Sequence, residues 1–225
     1  MKKRLLAEGL GGLLLSAAVI GSGIMGERLA GGNTAVALLA NTGATVGALA
    51  VLIALFGPIS GAHFNPVITL AAAARRELHA VQVLAYITVQ VAGCCLGAVL
   101  ANAMFELPLV ESSLHHRVGF AQWLGEIVAT GGLVLVALGS PSFKEAAWRV
   151  AAWIGAAYWF TSSTSFANPA ITIGRSLSDT FAGIHPADVP AFIAAQLIGG
   201  TIGFLLVRFL LPGRSAEAGA HQAHG

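Results

Sequence analysis

Charge is what this sequence has least of. Asp, Glu, Lys and Arg make up 10% of its 225 residues, against about 25% in an ordinary soluble domain. That shortage excludes a chain folded in water around a single core. The net charge of +2 is too small to signal nucleic acid. Cysteine is nearly missing as well. Cys94 and Cys95 stand side by side in an apolar run and read as small packing residues, not as a thiol or metal centre. No HExxH zinc motif appears, nor a Ser-His pair at useful helical spacing, so nothing points to an enzyme. No cofactor and no metal site are expected. What fills the chain instead is apolar: 56% hydrophobic residues and 28 glycines, with a mean hydropathy of +0.79. Glycine is common where helices pack closely in lipid. The reading is an all-α membrane protein with one domain over 1–212. A small polar tail, 213–225, is expected to be disordered, with His221 and His224 solvated.

Six apolar runs of around 20 residues are each long enough to cross a bilayer. They are Leu5–Met25, Ala35–Gly57, Ala80–Met104, Val118–Leu138, Ala147–Phe166 and Val189–Leu211. Lys2, Lys3 and Arg4 give the first run the look of a signal peptide, but no cleavage site leads into a soluble domain, so it is kept as a span. Backbone groups in lipid must be satisfied internally, so the runs are helices. With the N-terminus inside, nine of the twelve Lys and Arg residues fall on the inner side and only Arg28, Arg117 and Arg175 on the outer. The bias puts both termini in the cytoplasm, and the chain in the plasma (inner) membrane.

Two stretches break this pattern: Ser60-Gly61-Ala62-His63-Phe64-Asn65-Pro66-Val67 and Ser165-Phe166-Ala167-Asn168-Pro169-Ala170. In each, an apolar run gives way to small residues and restarts with Asn-Pro. Asn is a favoured N-cap, and Pro is tolerated in the first helical turn. From Asn65 to Arg75 the restart covers about eleven residues, or roughly 16 Å, half the hydrocarbon thickness. These are re-entrant half-helices, one entering from each side. Other features recur in the same order. Glu8 is matched by Glu126, and Gln90-x-x-Gly93-x-x-x-Gly97 by Gln196-x-x-Gly199-x-x-x-Gly203. Three spans per half is odd, so the chain is an inverted three-plus-three repeat, about 5–104 and 118–211, with its site near the midplane.

Half-helices meeting N-terminus to N-terminus place two positive dipole ends, about +0.5 charge each, at one depth. Cations and protons are repelled there. Each Asn can cap its helix through its carbonyl oxygen and keep its NH2 for a passing water or hydroxyl. Gly61-Ala62-His63 would line the pore with carbonyls. Glu8 and Glu126 read as braces that accept N–H groups of the unwound loops; a proton relay is the other reading. His63 is expected as a fixed wall or backbone-stabilising group. The glycine pairs read as close helix contacts.

The motifs SGAHFNPVITL and SFANPAITIG, with the two membrane glutamates and six spans, resemble the aquaporin and aquaglyceroporin family (major intrinsic proteins). The resemblance covers nearly the whole chain. It implies a right-handed bundle of six spans and two half-helices, a pore in each subunit and a homotetramer in the lipid bilayer. It carries the two constriction asparagines onto Asn65 and Asn168. Two positions depart from the pattern. Val67 stands where the first motif ends in Ala. Ile171 stands where the family usually has Arg, which narrows and polarises the outer selectivity filter. By spacing, the other filter positions fall on Thr45, Ala156 (or Gly155) and Ser165. The filter is therefore expected to be wide, uncharged and lined by small groups with one aliphatic wall. Arg175 is not expected to substitute. The function implied is a passive channel for water, glycerol- or urea-like solutes and neutral metalloid hydroxides such as arsenous acid, excluding ions and protons. A water-selective channel, and less favoured an ion-coupled carrier, are the alternatives.

Overall fold

The computed structural model describes residues 1–212; the tail 213–225, with His221 and His224, lies outside the described residues. Eight helices follow one another: α1 (Lys2–Leu29), α2 (Thr34–Ser60), α3 (Pro66–Ala74), α4 (Ala80–Met104), α5 (Phe120–Gly139), α6 (Phe143–Phe160), α7 (Pro169–Arg175) and α8 (Val189–Leu210), the last entered through a 3-10 turn at Pro186–Asp188. Five of them are long and apolar enough to cross a membrane. α6 is the sixth long helix. It has 18 residues and carries Lys144, Glu145 and Arg149 in its first two turns, with Glu145 and Arg149 paired at 2.7 Å. α3 has nine residues and α7 seven. Among the described residues the protein is thus an all-α membrane fold of six long helices and two half-length ones.

The fifth span needs a correction. The hydropathy predicts it over 147–166, but the helix starts four residues earlier and ends six earlier. Ser142 caps its start by accepting the Glu145 N–H at 3.2 Å. At the other end Thr161-Ser162-Ser163-Thr164 closes it: Thr161 Oγ1 bonds back to the Ala157 carbonyl at 2.6 Å, and hydroxyls compete with the backbone ladder. Residues 161–167 are then free to descend into the bundle.

The two halves pack alike. α1 lies against α2 and α4, α5 lies against α6 and α8, and α2 and α6 join the halves. Glycine sets the closeness. A Cβ on Gly93 would run into the carbonyl of Gly9, and one on Gly97 into that of Leu13. In the second half Gly199 and Gly203 meet the carbonyls of Ile127 and Gly131 in the same way. The half-helices cross over: α3 packs on α4 and α8, and α7 packs on α4, α8 and α1. α1 and α8 both begin or end on the face where the termini lie, called here the terminal face; the loops 105–119 and 176–188 form the distal face.

Because a carbonyl cannot retreat as a side chain can, Gly97→Val and Gly199→Val should each cost more than the ~1–3 kcal/mol of ordinary overpacking. Folded yield and thermal stability in detergent should collapse in both, while Gly43→Ala, which meets nothing within 4 Å, should keep both.

Candidate functional site

Between α2 and α3 the chain leaves helical geometry at Gly61 (φ 95°), and Ala62 and Phe64 both take φ 48°. Before α7, Ser165 (φ 53°) and Ala167 (φ 48°) occupy the matching positions, three and one residues ahead of the asparagine. Non-glycine residues at positive φ are strained by about 1–3 kcal/mol each and persist where their surroundings over-determine them. The surroundings here are two buried carboxylates. Glu8 Oε1 accepts the His63 N–H at 3.0 Å and the Ser60 hydroxyl at 2.6 Å, and Oε2 accepts the Phe64 N–H at 2.7 Å. Glu126 accepts the N–H groups of Phe166 and Ala167, both at 2.9 Å.

A glutamine and a threonine complete each brace. Gln90 Nε2 donates to Glu8 at 2.7 Å and to Thr69 Oγ1 at 2.9 Å. Gln196 Nε2 donates to Glu126 at 2.6 Å and to Thr172 Oγ1 at 2.9 Å. Each threonine hydroxyl then donates to the carbonyl of its asparagine, Asn65 or Asn168. The sequence showed Gln90 and Gln196 only as repeat letters; their equal offset from the glycine pair was the signal. The threonines four residues after each asparagine carried no separate one.

The asparagines meet at the centre. Asn65 Oδ1 accepts the Val67 N–H at 2.9 Å, and Asn168 Oδ1 accepts those of Ala170 and Ile171 at 2.9 and 3.3 Å. Their amides reach across: Asn65 Nδ2 donates to the Ala167 carbonyl at 2.7 Å, and Asn168 Nδ2 to the Phe64 carbonyl at 2.8 Å. The expectation of wholly free NH2 groups is therefore corrected. An amide has two protons; one ties the halves together and the other is left for the lumen.

A cavity of about 620 Å³ runs past both asparagines. Near the terminal face it is lined by Ser140, Pro141 and the Arg75–Glu77 pair, whose atoms lie 2.8 Å apart. Near the distal face it is lined by Thr45, Tyr158, Ser165, Phe166, Ile171 and Arg175. Much of the lining is apolar, with Leu15, Val19, Leu49, Ile53 and Leu133, and it also includes the loop residues 61–64 and 165–167. His63 lines the same space, with Nδ1 at 3.1 Å from Thr69 Oγ1 and its ring 5.4 Å from that of Tyr86.

The sequence spacing misplaced one lining residue. Ala156 is exposed on the outside of α6 and does not reach the cavity, and Gly155 faces Val46 of α2. The α6 residues that do line the cavity are Phe143, Ala146, Val150, Ile154 and Tyr158, the last four spaced four apart on one stripe; Ala156 falls on the far side of the helix. Tyr158 brings a phenol, 3.2 Å from Thr45 Oγ1. Nor is the distal end uncharged. Arg175 lies four residues beyond Ile171 and so on the same face of α7. It is 2% exposed, lies 3.3 Å over the Phe166 ring, and donates through Nε to the Ala182 carbonyl. Its other nitrogens have no ion-pair partner among the described residues.

With two opposed half-helices capped by Asn-Pro and a lumen between them, the comparisons with known proteins fit one fold. A family model described as "Major intrinsic protein" matches residues 1–142. The chain is 48% identical over 213 residues to "Aquaglyceroporin AqpS" of Rhizobium meliloti (strain 1021), covering 94% of this chain and 91% of that one. The chain belongs to the major intrinsic protein family. It is a membrane channel, not an enzyme. Mouse "Aquaporin-1" is 28% identical over 182 residues, which is 75% of this chain and 66% of its own length. The crystal structure of the aquaglyceroporin from Plasmodium falciparum superposes with a TM-score of 0.70 over 95% of this chain and 98% of that one, at 16% identity, a likeness of fold.

The braces make a direct prediction. Glu8→Gln and Glu126→Gln each replace an acceptor by a donor that faces other donors. Every buried donor orphaned in this way costs about 1–3 kcal/mol, so the thermal midpoint in detergent should fall markedly in both. An unchanged midpoint in either variant would remove the carboxylate from this account.

Proposed function

We propose that this channel passes small uncharged hydrogen-bonding solutes as well as water. Glycerol and urea are within its reach, and so is arsenous acid, a compact neutral triol at neutral pH. What carries the proposal is the lumen's mixed lining, apolar side chains together with the two asparagines and the loops before them. An apolar flank spares a solute's carbon or metalloid face from lost hydration, while loop carbonyls and the two asparagine amides replace the hydrogen bonds of its hydroxyls. The "aquaglyceroporin" in the name of the Rhizobium relative supports the same class.

On this reading Asn65 and Asn168 form the constriction. Ions and protons are refused there by the paired positive ends of α3 and α7. The distal filter consists of Thr45, Ser165 and Ile171 as the sequence suggests, with Tyr158 in place of Ala156. Ile171 supplies an aliphatic wall where the family has its cation, and Arg175 supplies positive charge one helical turn nearer the distal face. His63 acts as a fixed wall group. Both termini lie in the cytoplasm of the plasma membrane, and four copies assemble, each with its own pore; the Lys and Arg bias and the family resemblance support these statements.

Stopped-flow light scattering on proteoliposomes tests the proposal with water, glycerol, urea and arsenite. Flux should be linear in the gradient and indifferent to pH. Ile171→Arg should lower glycerol and arsenite entry several-fold while water passes nearly as before. Unchanged entry of the large solutes in that variant would refute the filter assignment, and flux that saturates and follows pH would indicate a coupled carrier instead.

A further inference from the structure

Outside the lumen, the distal face holds a cluster of side chains that the channel reading leaves unused. His116 lies in the segment before α5. His185 and Asp188 lie in and beside the 3-10 turn before α8. One ligand-capable atom from each of the three falls within 4.8 Å of the others. His116 Nδ1 is 3.2 Å from Asp188 Oδ2, and the two imidazoles stack with ring centroids 4.1 Å apart.

Backbone bonds hold the cluster in place. His185 N–H donates to the His115 carbonyl at 2.7 Å, Asp188 N–H donates to the His185 carbonyl at 2.9 Å, and Arg117 N–H donates to Asp188 Oδ2 at 2.8 Å. The carboxylate is buried, whereas the His116 ring is 61% exposed. A metal can therefore approach from solution and find a fixed anionic oxygen behind two imidazoles.

We propose that His116, His185 and Asp188 bind a divalent first-row transition metal of the zinc class. Two imidazole nitrogens and one carboxylate oxygen make a borderline donor set that suits such ions, with a fourth position open to water. In a tetrahedral site with bonds of about 2.0–2.1 Å the ligand atoms stand about 3.4 Å apart. The His116–Asp188 pair already has nearly that spacing, and the exposed His116 ring is free to make the remaining adjustment.

Bound metal would fasten the segment before α5 to the turn before α8. The staple lies one residue from Arg117, whose Nε donates to the Gly183 carbonyl at 2.8 Å and whose guanidinium lies 4.9 Å over the lumen-facing Phe166 ring. It therefore rigidifies the distal rim, not the lumen itself.

The test is a zinc titration by calorimetry on the untagged full-length protein in detergent. A His221→Ala/His224→Ala background keeps the tail histidines from contributing a site. One Zn²⁺ should bind per chain and raise the thermal midpoint, and Mg²⁺ should not displace it. His116→Ala should weaken binding at least tenfold and abolish the zinc-induced thermal shift. His185→Ala should weaken binding similarly. No zinc binding in the parent, or a one-per-chain site of unchanged affinity in the His116 and His185 variants, overturns the proposal.

Discussion

Two carboxylates buried in a membrane protein hold its centre together. A re-entrant loop is an expensive object in lipid: it has left its helix, so its N–H groups have lost their partners, and positive φ angles at Ala62, Phe64, Ser165 and Ala167 add strain. Glu8 and Glu126 answer both costs. Each accepts two consecutive backbone N–H groups of one loop. Such charge-assisted bonds are about twice as strong as neutral ones, and they fix two φ/ψ pairs at once. Their oxygens are occupied by these N–H groups and by Gln90, Ser60 or Gln196. Glu8 accepts four such bonds and Glu126 three, so little of either carboxylate's acceptor capacity is left, which speaks against a relay that must take up and release protons.

The braces work only because the long helices come close enough to bring the glutamates to the loops. Gly93 and Gly97 let α4 lie on the backbone of α1, and that contact sets Gln90 beside Glu8. Gly199 and Gly203 do the same for α8 on α5, setting Gln196 beside Glu126. Helix contact, brace, loop and half-helix therefore form one chain of dependence, present twice. The halves are then coupled by the asparagine amides, each donating to a loop carbonyl of the other half.

Much of this was legible in the residues because each part is short-range and repeated. Asn-Pro after a broken apolar run announces a capped helix wherever it stands. Two copies facing opposite ways announce an inverted repeat, and a glutamate in the first span of each half announces a shared task. The lining of the distal end was less legible, for a geometrical reason. Which side of α6 faces inward depends on where that helix starts and how it tilts. Counting back from the asparagines placed Ala156 where Tyr158 lines the cavity. Arg175 was set aside because it stands one helical turn beyond Ile171 along the half-helix, although one turn returns a side chain to the same face. The distal histidine cluster joins residues some 70 positions apart in loops without periodicity, so no local pattern foretells it.

The displacement of positive charge from position 171 to position 175 bears on what the proposed pore selects. A guanidinium projecting at the narrowest outer point would narrow the opening and hold an ordered water there. Arg175 instead lies over the Phe166 ring with its Nε bound to a carbonyl, so its bulk is held against the wall. Its charge still acts along the axis, because in a low-dielectric site a unit charge is felt over several ångströms. On the proposed reading, separating bulk from charge in this way would leave room for a triol beside Ile171 and keep a positive potential at the mouth. Together with the dipole ends at the midplane, that potential would oppose cations at two depths, which is a sounder arrangement for a wide pore than a single barrier.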